Sequence, residues 1–186
     1  SNLQRQILHK ESRLGQNKAV SAAKSLHGLN AQVHVQTYSQ FMDGAHLRQV
    51  LPDYDIVIDA TDQLENKFLI NDVCVSAEKP FVHGGITGFS GQVMTYVPEK
   101  GPCYRCIFGE VPEDNAPAPI PVIGVTAGII GTIQAAEAIR YLLGIPSLLT
   151  GKLLVLDGLR MQFRTVPFPH VSEHCPLHTR KGVTDL

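Results

Sequence analysis

The chain has 186 residues and a mass of 20.3 kDa, with 16 basic and 17 acidic side chains and 44% hydrophobic residues. This length and apolar content predict a single globular domain over residues 1–186 and exclude global disorder. The net charge of -1 gives no basic excess of the kind that binds nucleic acid or anionic membranes, so we expect neither as a partner.

Cysteine usage and the first residues bear on the compartment. Four cysteines are too few for a disulfide scaffold in a chain of this size, and two of them form a C-x-x-C motif, which favours a reducing environment. The opening sequence SNLQRQILHKESR carries charges without an apolar run, so it does not have the pattern of a signal peptide. We therefore predict a cytoplasmic protein.

The first half of the chain alternates between helical and strand patterns. Apolar residues at three-residue steps predict a helix over residues 17–29, and the alternation in QVHVQTY predicts a half-buried strand at 32–38. A mixed stretch at 42–51 indicates a short helix. The β-branched run in DIVIDAT, residues 55–61, predicts an interior strand of a parallel sheet covered on both faces. Residues 62–77 then predict a helix that returns over that sheet.

The second half predicts mainly antiparallel strands. Residues 80–97 indicate two strands separated by glycines, and residues 152–158 and 161–168 indicate a final antiparallel pair. A proline-rich stretch at 109–121 predicts an extended loop between these two regions. Helices and strands that alternate early, followed by antiparallel strands, predict an α/β fold with an appended mixed edge.

The long apolar run at 122–143 has two interpretations. Gln134, Glu137 and Arg140 interrupt it before the roughly 20 apolar residues that a bilayer requires, so we predict a buried helix and no membrane span.

Three residues are suited to binding a nucleotide. Arg5 in SNLQRQ and Lys18 in GQNK are cations able to reach phosphate oxygens. Asp62 lies at the carboxyl end of the DIVIDAT strand, where open α/β sheets bind ligands, and a carboxylate there can hold Mg2+ against a nucleotide. The alternative is that all three are ordinary surface charges, and spacing alone favours that alternative. No G-x-G-x-x-G turn follows a strand, so the usual phosphate-binding loop is missing.

A second candidate site consists of Cys103-x-x-Cys106 and Cys175-x-x-His178. Two such knuckles can converge on a tetrahedral Zn2+, because side chains three residues apart around a tight turn point the same way. His174 is a rival for the fourth ligand position. One alternative is two buried cysteines with a solvent-exposed histidine in the tail. Another is a redox C-x-x-C, but such a motif starts a thioredoxin-type helix, and we expect no such helix at Cys103.

The order of the motifs closely resembles the ThiF/MoeB/HesA family, the bacterial relatives of ubiquitin-activating enzymes. The matching motifs are SNLQRQ, GQNK, IDATDQ, GQV, CYRC, GTIQAAEAIRYLLG, LVLDG and a C-x-x-H near the end. The resemblance covers essentially the whole chain and implies a Rossmann-like, mostly parallel sheet with helices on both faces and a C-terminal mixed or antiparallel extension. Family members carry the glycine-rich turn upstream of SNLQRQ, so the resemblance implies a chain that is incomplete at its N-terminus.

The resemblance implies ATP-dependent adenylation of the C-terminal glycine of a ubiquitin-like sulfur carrier. The carrier would be of the ThiS or MoaD type with a Gly-Gly terminus, in thiamine or molybdopterin biosynthesis. By motif position, Asn2, Arg5 and Gln6 are implied to contact the phosphates or ribose. Lys18 is implied to stabilise the developing charge, and Asp62 to hold Mg2+. Structural Zn2+ and a homodimer formed through the helix at 122–143 are implied as well.

The sequence departs from the family at three places. The second knuckle, normally C-x-x-C in the family, is Cys175-x-x-His178 here. The usual D-N-x-x-x-R reads Asp62-Gln63 and ends in Lys67 here, and because lysine cannot replace arginine at a bidentate site, we expect looser contacts at Lys67. The stretch EDNAPAPIP lacks the catalytic cysteine that some members carry, and Cys74 is expected in the core, so activity is expected to stop at the acyl-adenylate. The alternative function is a non-catalytic, truncated module that binds zinc and docks the carrier.

Overall fold

The computed structural model describes residues 2–111 and 121–178 and divides into two compact units, Ser1–Asp43 and Gly44–Leu186. Most of the expected loop at 109–121 lies outside the described residues. The expectation of a single domain over residues 1–186 stays a prediction.

The first unit contains one long helix, α1 (Lys18–Leu29), preceded by short 3₁₀ turns at Asn2–Gln4 and Glu11–Arg13. Asn17 caps α1, since its side chain accepts hydrogen bonds from the backbone N–H groups of Ala19 and Val20. The predicted helix at 17–29 is therefore confirmed. The strand predicted at 32–38 is not formed, because alternation favours an extended backbone but a strand also needs a hydrogen-bonded neighbour.

The second unit has four helices and five strands among its described residues. The helices are α2 (Gly44–Val50), α3 (Leu64–Ser76), α4 (Tyr104–Phe108) and α5 (Gly124–Leu142), with a 3₁₀ turn at Leu51–Asp53. The strands are β1 (Val57–Asp59), β2 (Phe81–Thr87), β3 (Ser90–Tyr96), β4 (Lys152–Asp157) and β5 (Gln162–Pro167). Each of these helices and strands except the short α4 was predicted near its observed position.

The five strands form one sheet in the order β1-β2-β3-β4-β5. β1 and β2 are parallel, with Val57 opposite Phe81, and the other neighbouring pairs are antiparallel. The mixed α/β fold is confirmed, but the parallel part of the described sheet is smaller than expected. β1 was predicted as an interior strand; it lies at the edge of this sheet, and Ile58 is 47% exposed.

Helices cover both faces of the sheet, as expected. On one face Phe68 of α3 packs in a cluster with Phe81 and Met94. On the opposite face Ile130 of α5 packs with Val82 and Val93. Neighbouring residues of one strand point to opposite faces, so Phe81 and Val82 contribute to the two separate core clusters.

The buried face of α5 is more polar than the sequence indicated. Gln134 and Glu137 are 4% and 2% exposed, whereas Ile139 and Leu142 are both 57% exposed. Glu137 accepts hydrogen bonds from the Thr95 hydroxyl at 2.7 Å and from a backbone N–H. Such bonds satisfy the buried carboxylate of Glu137. One side of α5 is therefore exposed and apolar, and its buried side is partly polar. Among the described residues, no helix is long and apolar enough to cross a membrane.

Candidate functional site

Four of the residues expected to bind a nucleotide lie in the first unit. Asn2 and Arg5 contact each other, with the Arg5 guanidinium donating to Asn2 Oδ1 at 3.1 Å. The Oε1 atom of Gln6 is buried and has no hydrogen-bond partner among the residues described. Lys18 is exposed at the first turn of α1, where its ammonium group and the positive end of the helix dipole both favour an anion. These positions suit contacts with phosphate or ribose oxygens.

Polar contacts fasten the segment that carries Arg5 and Gln6 to helix α1. Arg13 donates to the carbonyl of Ser21 at 2.8 Å and to the hydroxyl of Ser25 at 2.7 Å. The Ser25 hydroxyl in turn donates to the carbonyl of Leu8 at 2.6 Å. Side chains that bond to backbone carbonyls hold this irregular segment in place without regular secondary structure.

In the second unit, Asp62 lies in the short loop between β1 and α3. Its side chain is exposed, as binding a metal and a nucleotide requires. Asp59, three residues earlier, is 1% exposed and accepts two hydrogen bonds at Oδ1, from the backbone N–H of Thr61 at 3.0 Å and from its hydroxyl at 2.6 Å. The buried carboxylate therefore fixes the turn that leads directly to Asp62.

The other oxygen of Asp59 is bound by two further side chains. Lys67 Nζ donates to Oδ2 at 3.2 Å, and His83 Nδ1 lies 2.9 Å from the same oxygen. Lys67 also donates to the carbonyl of Gly84 at 2.8 Å. Lys67 is 9% exposed, and an ammonium ion with three donors fits this compact buried site. The expectation that lysine makes looser contacts than the arginine of the family stays a prediction.

The charges of this network follow from its surroundings. Burial raises the pKa of Asp59, but the hydrogen bond from His83 and the charge of Lys67 outweigh burial and lower that pKa to about 2. Burial lowers the pKa of Lys67, and the Asp59 carboxylate opposes this shift. Burial also lowers the pKa of His83, again against the hydrogen bond to Asp59. We describe the network as an Asp59–Lys67 ion pair with a neutral His83.

A neutral, buried His83 predicts a pH-dependent stability. The pKa of His83 is lower in the folded chain than in the unfolded chain, so below pH of about 6.5 the unfolded chain binds a proton that the folded chain does not. The contribution of His83 to the free energy of unfolding is therefore fully present above this pH and decreases as the pH falls below it. We expect His83→Asn to flatten this slope in urea unfolding measured between pH 7.5 and 5.5. His27→Asn, at an exposed histidine, is the control, and an equal slope in both variants contradicts a neutral His83.

Asp59, Lys67 and His83 were not identified as a site from the sequence. Lys67 and His83 lie 8 and 24 residues after Asp59 in the chain, and the β1–β2 pairing and the first turn of α3 bring them together. The available signal was Asp59 itself, since a carboxylate inside an otherwise β-branched strand requires a buried partner.

The four residues proposed as metal ligands also come together in the second unit. The ligand atoms of Cys103, Cys106, Cys175 and His178 all lie within 4.8 Å of one another. The Sγ atom of Cys103 is 3.7 Å from those of Cys106 and Cys175. His174 is exposed and does not belong to this cluster.

Two observations test whether this cluster fits a metal. The Sγ separations of 3.7 Å exceed the roughly 2.05 Å of a disulfide and match the roughly 3.8 Å expected between thiolates on a tetrahedral Zn2+. His178 Nε2 is buried and has no hydrogen-bond partner within the described part of the chain. A metal ion would satisfy this nitrogen, so the donor set fits zinc.

Matching turns build the two knuckles. The backbone N–H of Cys106 donates to the carbonyl of Cys103, and that of His178 donates to the carbonyl of Cys175, both at 3.1 Å. The helix α4, which begins after Cys103, has five residues. The hydrogen bond from Cys103 stabilises the Cys106 thiolate and lowers the pKa of Cys106 to about 5. A stabilised thiolate is the form that binds a metal.

Helix α3 holds the first knuckle in place. Arg105 donates to both oxygens of Asp72, at 2.6 and 2.8 Å, and its guanidinium lies 4.7 Å from the centre of the Phe68 ring. Asn71 accepts a hydrogen bond from the backbone N–H of Tyr104 at 2.8 Å. The helix that begins beside Asp62 therefore also carries the anchors of the cysteine cluster.

Comparison with known proteins agrees with the motif order. The sequence matches the ThiF family over residues 1–177. It is 41% identical over 192 residues to the SAMP-activating enzyme E1 of Haloferax volcanii, covering 100% of this chain and 69% of that protein. It is 37% identical over 188 residues to the adenylyltransferase and sulfurtransferase MOCS3 of Drosophila persimilis, covering 96% of this chain and 42% of that protein.

The fold also matches solved structures. E. coli MccB, crystallised with ATP, superposes with a TM-score of 0.81 at 22% identity, over 95% of this chain and 55% of MccB. PaaA superposes with a TM-score of 0.72 at 17% identity. The chain thus spans about two thirds of its haloarchaeal relative and less than half of MOCS3. With the ThiF match over residues 1–177, the chain belongs to the ThiF family.

Proposed function

We propose that this chain forms the adenylating domain of an enzyme that activates a ubiquitin-like sulfur carrier with a Gly-Gly terminus, of the ThiS or MoaD type. The observation that carries the proposal is the fixed loop after β1, which presents the exposed Asp62 carboxylate beside the N-terminus of α3. The similarity to proteins named as an E1 and as adenylyltransferases supports this assignment. Thiamine and molybdopterin biosynthesis are the candidate pathways.

The proposed reaction joins the carrier to AMP. One oxygen of the C-terminal glycine carboxylate attacks the α-phosphorus of ATP, the bond to the bridging oxygen breaks, and pyrophosphate leaves with that electron pair. Catalysis of such a transfer depends on position and charge neutralisation. Arg5 and Lys18 supply positive charge to the phosphates, while Asn2 and Gln6 offer polar contacts. Bound Mg2+, held by Asp62, would neutralise phosphate charge.

We propose that the reaction of this chain ends at the acyl-adenylate. Cys103, Cys106 and Cys175 are the proposed metal ligands, and burial raises the pKa of Cys74 to about 12, so with the metal bound none is a free thiolate nucleophile. Sulfur would then come from another protein. A cytoplasmic location is proposed as well, because four cysteines, two of them in a C-x-x-C motif, favour a reducing compartment.

A homodimer is proposed for the same domain. The exposed face of α5 includes Val125, Ile139 and Leu142, which are 67%, 57% and 57% exposed. Apolar side chains gathered along one helix are suited to burial against a second copy.

The proposed activity is tested by ATP–pyrophosphate exchange. The protein expressed from its complete gene, its intact mass checked against that gene, is incubated with labelled pyrophosphate, Mg2+ and a carrier that ends in Gly-Gly. Label should appear in ATP only when the carrier is present, and a carrier without its last glycine is the control. Absence of exchange contradicts the adenylation proposal and favours the non-catalytic docking module.

We also propose that the cysteine cluster binds structural Zn2+ and joins the C-terminal tail to the knuckle at α4. Three thiolates and one imidazole form an established tetrahedral set. We expect about one zinc per chain by elemental analysis after purification without chelators. His178→Ala should lose most of this zinc, whereas His174→Ala, at the neighbouring exposed histidine, should retain it. Less than about half an equivalent in the wild type, or equal contents in the two variants, contradicts the site.

A further inference from the structure

We infer that Asp59, Thr61 and Lys67 form a positioning clamp for Asp62. These three residues are not expected to touch ATP or the carrier; they set the direction in which the Asp62 carboxylate points. The inference rests on the proposed function, because it assigns these residues a part in holding the metal–nucleotide complex. We call the three residues the β1–α3 clamp.

The two oxygens of Asp59 hold the loop on both sides of Asp62. Oδ1 binds Thr61, the residue immediately before Asp62, through its N–H and its hydroxyl. Oδ2 binds Lys67, which extends from the first turn of α3. The loop is therefore attached to one carboxylate at two points, and Asp62 lies between them.

Asp59, whose carboxylate holds the loop, is itself held in place by its neighbours. Its backbone carbonyl accepts a hydrogen bond at 2.7 Å from Gln134 Nε2, which reaches across from α5 and also donates to the carbonyl of Val82 at 3.2 Å. Lys67 donates to the carbonyl of Gly84 on β2. The clamp is thus connected to helix α5 and to strand β2, and a rigid support of this kind is what a preorganised site requires.

The charged groups of the clamp are buried, whereas Asp62 is accessible to a ligand from the solvent. The side chains of Lys67 and Asp59 are 10% and 2% exposed, whereas Asp62 is exposed. The positive charge of Lys67 is neutralised by Asp59 at 3.2 Å, so it is not available to a phosphate. The clamp acts through the position of Asp62, and its residues are positioning residues.

The same contacts would also exist if the network only stabilised the fold. A substitution at Thr61 distinguishes this possibility from a positioning role, because its hydroxyl can be removed without leaving a buried charge unpaired. Thr95 offers a matched control, because its hydroxyl donates to the buried carboxylate of Glu137 at 2.7 Å, against 2.6 Å for Thr61 and Asp59. Thr61→Val and Thr95→Val each delete one such bond in the same unit.

The test measures exchange at increasing Mg2+ in the protein from the complete gene. We expect Thr61→Val to raise the Mg2+ concentration for half-maximal activity by about tenfold, the factor for one hydrogen bond to a charged group. Thr95→Val should leave this concentration within about twofold, because its lost bond is to Glu137 of α5 and to no residue of the clamp. Thr61→Ser, which keeps the hydroxyl, should restore the wild-type value.

Hydrogen–deuterium exchange provides a second readout that does not depend on activity. The backbone N–H at position 61 should lose protection from hydrogen exchange in Thr61→Val and keep this protection in Thr95→Val. An active wild type in which the two variants show the same Mg2+ dependence and the same protection overturns the clamp alone. A wild type without any exchange overturns the proposed function, and the positioning role is then rejected with it.

Discussion

Asp59→Asn is expected to lower the free energy of unfolding by about 3–5 kcal/mol, the usual cost of removing one partner from a buried ion pair. Lys67 would remain with its side chain 10% exposed and without a neutralising charge. Asparagine also offers only one carbonyl oxygen, so the contacts with Thr61 and with Lys67 and His83 cannot all be kept. Urea unfolding at pH 7 measures the loss.

The matched control for this variant is Asp157→Asn. Asp157 pairs with Arg160 at 2.8 Å, but both side chains are exposed, at 38% and 73%. We expect no measurable shift of the urea midpoint, because solvent screens such a pair. Equal shifts for Asp59→Asn and Asp157→Asn would show that the buried pair does not form.

A double variant separates the unpaired charge from general damage to the fold. Asp59→Asn combined with Lys67→Met leaves no buried ammonium, so it should be more stable than Asp59→Asn alone. If adding Lys67→Met destabilises the protein further, the cost in the single variant comes from another source than the stranded Lys67 charge.

The helices and most strands were predictable because local patterns determine them. Asn17 caps α1 through its own side chain, and the β-branched run at 56–58 places β1 close to its observed position. The failure at 32–38 has a different origin. Alternating residues describe one strand, whereas the sheet depends on a neighbour whose distance along the chain the pattern does not contain.

The two sites also differ in how far local sequence determines them. Cys103 and Cys106 are three residues apart in a recognisable motif, so their convergence was predictable. The contact between Asp59 and His83 depends on the parallel register that places these two residues opposite each other. The apolar pattern of α5 also did not indicate that Gln134 and Glu137 are buried, because it does not account for hydrogen bonds to the sheet.

Asp62→Ala is expected to lower the rate of ATP–pyrophosphate exchange by about 30- to 1,000-fold, corresponding to about 2–4 kcal/mol of transition-state stabilisation. The change removes the carboxylate proposed to hold Mg2+ and leaves the buried clamp beneath it intact. Asp62 is exposed, so the fold should survive. Asp53→Ala, at an exposed carboxylate in the same unit, is the control and should retain wild-type exchange.

Excess Mg2+ distinguishes loss of the ligand from loss of its position. In Thr61→Val the Asp62 carboxylate is still present, so a higher Mg2+ concentration should recover much of the exchange rate. In Asp62→Ala no carboxylate remains at that position, and added Mg2+ should recover little. If Asp62→Ala stays within about threefold of the wild type at every Mg2+ concentration, another residue holds the metal, and the clamp then serves the stability of the fold alone.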